Sequence, residues 1–357
     1  MDHPYRSLPD TAFWRRAVAG VPDGMMDPVT QVPFGIGPGD VVATAGSCFA
    51  QHIAGHLQRR GHRLVRTEPP PEAPEAAAFG LFAANYGNIY TCRHMLRLSE
   101  EAFGLFQPRD IAWQRPDGRY VDAFRPGLHP AGHATADAVR ASREPHLAAL
   151  RQVFETADVL VFTLGLTEAW IGADGAAYPL APGILASPPD PAACRFHNFT
   201  LDEVRADLLA FLGLLAEVNP DLRCILTVSP VPLAATYTAA HVLPASSYSK
   251  AVLRVASEEA AARLPSVAYF PSYEIITGPQ ARGRYFAEDL RSVTAEGVAA
   301  VMTVFDRHYL TGEAGTFVAP APAAAPRAAS PADAAEFDRL AQILCDEDAL
   351  DPGLQDR

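Results

Sequence analysis

Four short runs constrain this chain more than any other feature. DVVATAG (residues 40–46), DVLVFTLG (158–165), DLRCILTVSP (221–230) and VAYFP (267–271) are apolar at odd and even positions alike and end in Gly, Ser or Pro. A strand that alternates apolar and polar residues can leave one face in water, but one that is apolar throughout must be covered on both sides. Helical spacing fills the intervals. In CFAQHIAGHLQRRG (48–61), Phe49, Ile53 and Leu57 share a face and Gly61 supplies a stop. HRLVRT (62–67) reads as a second strand directly after it. Residues 136–157, 201–220, 247–265 and 294–310 carry further amphipathic helices. Strands and helices alternating in this way predict an α/β fold: a three-layer α/β/α sandwich around a central parallel sheet, joined by right-handed crossovers.

Two regions break the rhythm. Residues 68–133, rich in Pro, Gly and aromatics, read as an irregular insertion that could wall or cover a site. Its Phe82, Tyr86, Tyr90, Trp113 and Tyr120 offer either a stacking platform for a sugar or a small core of their own. From residue 311 the chain turns Ala/Pro-rich, as an extended linker would. The sequence thus divides into an N-terminal extension (1–31), a main domain (32–310), a linker (311–332) and a helical tail (333–357). In the tail, Phe337, Leu340, Ile343 and Leu344 form a stripe. That stripe suits a short helix docked on the main domain, or a tethered motif for a protein partner.

Charge narrows the function. The formal net charge is −12, which disfavours nucleic acid and anionic membrane surfaces as partners. The five cysteines show no CxxC spacing, so reduced thiols in a cytoplasm are expected rather than a disulfide framework or a zinc knuckle. Neither an apolar leader nor a membrane-spanning run is legible.

Ligands of such sheets bind beyond the carboxyl ends of the strands. The residues there are Gly46-Ser47-Cys48, Gly165-Leu166-Thr167-Glu168, Ser229-Pro230 and Pro271-Ser272-Tyr273-Glu274. Ser47 can cap the following helix. It can also act as a nucleophile, with backbone N–H groups of the helix start turned toward an oxyanion. Cys48 is a rival nucleophile or a small core residue. His52 and His56 stand at i, i+4, a spacing that can bind metal, but no third ligand is evident and no metal is expected. His129 and His133 read as surface residues of the insertion.

The blocks GSCFA (46–50), NYGNIYT (85–91), FTLGLTEAW (162–170), LTVSPVPL (226–233), YSKAVLR (248–254) and YFPSYEI (269–275) resemble, in this order, those of the GSCFA domain family. That family looks like a branch of the SGNH (GDSL-like) hydrolases. The resemblance implies Ser47 as nucleophile and an oxyanion hole that includes Gly87. Thr167 stands where the superfamily has Asn, so Asn85 or Asn88 would supply the missing donor, with Glu168 beside them. It also implies an Asp-x-x-His motif. Asp289 is present, but Ser292 occupies the His position, and a Ser cannot take up a proton as an imidazole does. His241, with His197 second, is the replacement expected, its ring oriented by Asp289 or Glu168. The implied activity is that of an ester hydrolase or O-acyltransferase working through an acyl-enzyme on an acylated carbohydrate or other small ester. No cofactor is implied beyond acyl-CoA as donor in the transferase case. The alternative is a catalytically degenerate binding or scaffold protein on the same fold.

Overall fold

The computed structural model describes residues 3–68, 82–311 and Leu350. The linker beyond Thr311, the tail stripe and the start of the insertion (69–81) lie outside the described residues. In chain order the elements are β1 (Val41–Gly46), α1 (Phe49–Arg59), β2 (Arg63–Leu64), α2 (Cys92–Ala102), β3 (Ala112–Gln114), β4 (Tyr120–Asp122) and α3 (Ala136–Thr156). Next come β5 (Val159–Leu164), β6 (Glu168–Ile171), β7 (Ala177–Tyr178), β8 (Arg195–Asn198), α4 (Leu201–Val218) and β9 (Arg223–Val228). The series closes with α5 (Val242–Arg263), β10 (Val267–Tyr269), α6 (Ser272–Thr277) and α7 (Ala295–Tyr309).

The central sheet is parallel throughout, in the order β10-β9-β5-β1-β2. Its strands feed two separate cores because successive side chains point to opposite faces. Leu160, Phe162 and Leu164 of β5 join α3, α4 and α5 through Leu150, Phe154, Phe211 and Leu253. Val159 and Val161 of the same strand join Phe49, Ile53 and Leu57 of α1 and Val301 and Phe305 of α7. The apolar character of both strand faces is thus accounted for, and the molecule is a three-layer α/β/α sandwich. Threonines close the helix starts: Thr91, Thr135, Thr200 and Thr294 each accept a backbone N–H of the first turn of α2, α3, α4 and α7. Among the described residues no helix is long and apolar enough to cross a membrane.

Two antiparallel pieces have no counterpart in the sequence pattern: the hairpin β3-β4 and the sheet β7-β6-β8. They share a small core of Trp113, Phe124, Ala176 and Tyr178. The described part of the insertion, residues 82–133, is therefore packed structure rather than a loose lid. Its Phe82, Tyr86, Tyr90 and Trp113 are all buried, so they form core rather than an exposed stacking platform, with Tyr90 also lining a small pocket; Tyr120 is half-buried.

Candidate active site

The turn after β1 is built by one glycine. Gly46 has φ of +127°, and a Cβ there would lie 2.1 Å from the Thr163 carbonyl oxygen of β5. Only Gly lets β1 end this tightly against its neighbour. Ser47 follows, and its amide continues the ladder by donating to Thr163 O at 3.1 Å. That N–H is consequently spent on the sheet and does not face a ligand. The hydroxyl does not cap α1 either. The cap position is Cys48, with no side-chain cap bond. Ser47 Oγ is buried and has no hydrogen-bond partner among the described residues. Leaving a buried hydroxyl unpaired costs roughly 1–3 kcal/mol, so the position needs another reason.

The second block is pinned across the sheet edge. Ile89 donates to Gly46 O at 2.8 Å, and Tyr90 O accepts from Gly165 and Leu166 at 3.1 and 3.0 Å. Behind it a buried polar network holds the chain: Tyr86 Oη donates to Thr44 O, Asn85 N–H to Glu68 Oε2 (2.8 Å), and Arg125 Nη1 to Asn85 O (3.1 Å). His146 Nδ1 meets the same Glu68 oxygen at 2.8 Å. The third block comes equally close. A Cβ on Gly165 would sit 3.0 Å from Tyr90 O and 3.3 Å from Ser47 Cβ.

These segments enclose a narrow pocket lined by Ser47, Cys48, Tyr90, Gly165, Leu166, Ser229, Val231, Leu233 and Lys250, with about 10 Å³ of free space. That is room for about one water. Neither a histidine nor a carboxylate lines it. The cation present is Lys250 of α5, which is 3% exposed and donates to Gly165 O at 2.6 Å. Since Gly165 packs on Ser47, the amine and the hydroxyl belong to one small site. Sequence reasoning passed over Lys250, although a signal existed. It is the only lysine in the chain, one of 29 Lys and Arg residues together.

The other expected participants are placed elsewhere. His241 is exposed and caps α5, its Nδ1 accepting the Leu243 N–H at 3.2 Å. His197 pairs with Glu203 at 2.9 Å. Thr167 is buried, but its hydroxyl donates to Asn198 Oδ1 at 2.7 Å and its amide to Ser249 Oγ at 3.0 Å. Glu168 accepts from Thr236 Oγ1 (2.6 Å) and the Tyr237 amide (3.1 Å), anchoring the loop after β9. Asp289 accepts from Ser292 Oγ at 2.5 Å and from the Arg291 and Ser292 amides at 2.9 Å each. Partial burial works against its charge, but these bonds outweigh that and hold the carboxyl below its ordinary range. Gly87 adopts φ of +70°, and Asn88 Oδ1 accepts from Gln51 at 3.5 Å. Neither these two nor Asn85 lines the pocket. His52 packs edge-on against Phe49, and His56 pairs with Asp306 at 2.7 Å. No group of His, Cys, Asp or Glu among the described residues is arranged to hold a metal. His129 and His133 meet edge to face, half-buried.

A larger cavity of about 370 Å³ adjoins, sharing Leu166 and Leu233 with the narrow pocket. Its wall includes Trp170, Phe196 and Tyr237, whose ring centroids lie 5.0–6.1 Å apart.

A parallel α/β sandwich with a glycine-turned serine at the end of its first strand defines the class. The chain belongs to the GSCFA family, whose model matches residues 41–305. No curated protein matches it.

Proposed function

We propose that the protein is a serine-dependent ester hydrolase or O-acyltransferase of the SGNH type, acting on an acylated carbohydrate or other small ester, with Lys250 in the role usually held by an imidazole. The observation that carries this is the buried Ser47 hydroxyl, which has no hydrogen-bond partner among the described residues and shares a pocket with the chain's one lysine. Lys250 Nζ, neutral and turned from the Gly165 carbonyl that it meets here toward the Ser47 hydroxyl, takes up the hydroxyl proton as Ser47 Oγ attacks the ester carbonyl carbon. The C–O bond to the alcohol then breaks, and Lys250 returns the proton to the departing oxygen. Water, or an acceptor hydroxyl, repeats the sequence in reverse on the acyl-enzyme. The acid or the new ester leaves. In the transferase case acyl-CoA can be the donor. While protonated, Lys250 lies beside the oxyanion and offsets its charge, a task that the Ser47 amide cannot perform while it is bonded to Thr163. An ester reaches Oγ when Leu166 and Leu233 part. Cys92, Cys194 and Cys224 are buried free thiols, in keeping with a reducing cytoplasm.

A second reading, a binding protein on an inactive frame, draws on Ser292 at the histidine position and on the narrowness of the pocket. Turnover of p-nitrophenyl esters separates the two. Hydrolysis by the wild type that is lost in Ser47→Ala and in Lys250→Met supports the enzyme. An inert wild type supports binding alone.

A further inference from the structure

The Ser47 pocket is too small for a whole ester, so the remainder of the substrate must lie outside it. The adjoining cavity shares Leu166 and Leu233 with it as a common wall, and its lining is mainly hydrocarbon. Pro179, Pro182 and Ile184 face Trp170 and Phe196, with Tyr237 at the rim, 69% exposed. Its polar side-chain groups are few: the Trp170 indole N–H, the Tyr237 hydroxyl, and Thr236 and Glu168, which already bond to each other and to the loop. Thr236 Oγ1 donates to Glu168 Oε1, and the other Glu168 oxygen accepts the Tyr237 amide. A sugar ring buried there would bring several hydroxyls that need partners, whereas a hydrocarbon chain needs none. A further observation points the same way: the aliphatic side chain of Leu350, from the far end of the sequence, lines this cavity.

We infer that this cavity is the acyl-chain subsite, taking a linear aliphatic acyl group of medium length, while the alcohol portion leaves on the other side of Ser47. Resting on the serine reading above, this names which half of the ester the protein selects. The carbonyl lies between Leu166 and Leu233 and the alkyl chain runs along Trp170, Phe196 and Tyr237. No bond is made or broken beyond those already described.

Binding tests the subsite without requiring turnover. Ser47→Ala protein is titrated by calorimetry with methyl acetate, methyl hexanoate and methyl glucoside. Each buried methylene should tighten binding about fourfold, so hexanoate should exceed acetate on the order of 10²-fold. Tyr237→Ala should cut that ratio roughly two- to tenfold, with its melting temperature measured alongside to separate a binding loss from loss of the contacts with Trp170 and Phe196. In parallel, kcat/KM is measured with wild type on p-nitrophenyl acetate and hexanoate. Chain-length-selective binding without turnover would sink the serine reading and keep the subsite. Turnover with equal acetate and hexanoate values, or binding of methyl glucoside in preference to hexanoate, would overturn the subsite and keep the serine.

Discussion

The carboxyl ends of β1 and β5 lie side by side in the sheet, yet their polar side chains behave in opposite ways. After β5, Thr167 is bonded to Asn198, and Glu168 to Thr236 and Tyr237. After β1, the Ser47 hydroxyl has no hydrogen-bond partner among the described residues and faces a pocket. Committed polar groups hold a structure together. A buried group left without a partner weakens the fold unless it serves a ligand. His94 provides a control within the same molecule. Both its ring nitrogens also lack partners among the described residues, but it lines neither the serine pocket nor the aromatic cavity. An unpaired group with access to a cavity can do chemistry. One without access only lowers stability.

Four substitutions or conditions probe that contrast, beginning with the largest effect. Ser47→Ala should lower ester hydrolysis by roughly 10⁴-fold or more. Its melting temperature should stay level or rise slightly, because no bond is lost; steady-state kinetics and calorimetry read the two arms. Lys250→Met should cost about 10²–10⁴ in kcat, and the pH–rate profile should lose the limb that reports the amine. Retention of that limb would show that Lys250 only holds the Gly165 carbonyl.

Acid should act through His94. Burial, then the Arg143 charge, pushes its imidazole down to about 3, with Asp122 opposing. A histidine held neutral stabilises fully above its unfolded value near 6.5, and that contribution fades as pH falls toward the folded value. Between pH 6.5 and 5 the loss from this one ring is roughly 2 kcal/mol. His94→Leu should flatten the denaturation midpoint over that interval and leave catalysis unchanged. His52 and His146, each pushed down to about 4 chiefly by burial, add slopes of the same sign. The smallest effect is expected at β5: Thr167→Val should destabilise by about 1 kcal/mol with turnover intact. If turnover fell with it, the division between structural and reactive strand ends would be wrong.

Much of the frame was legible because strands apolar on both faces admit few arrangements. Val159 and Leu160 had to enter different cores, and they do. The antiparallel sheet β7-β6-β8 was not legible, since its strands have two to four residues and lie in a Gly- and Pro-rich stretch that reads as loop. The site divided in the same way. Gly46, Ser47 and Gly165 follow from strand ends. Lys250 does not, because it sits well inside α5 and reaches the pocket only through packing of that helix on the sheet. His241 looked better placed from its loop but begins the same helix at an exposed cap. The use of lysine at one position alone was the clue available beforehand.

The most direct measurement is covalent. The purified protein is treated with a fluorophosphonate, digested, and the adduct located by mass spectrometry. A single adduct on Ser47, slowed in Lys250→Met and unchanged in Cys48→Ala, is the predicted result. An unlabelled Ser47, or an adduct that disappears with Cys48, would contradict the assignment of this hydroxyl as the nucleophile.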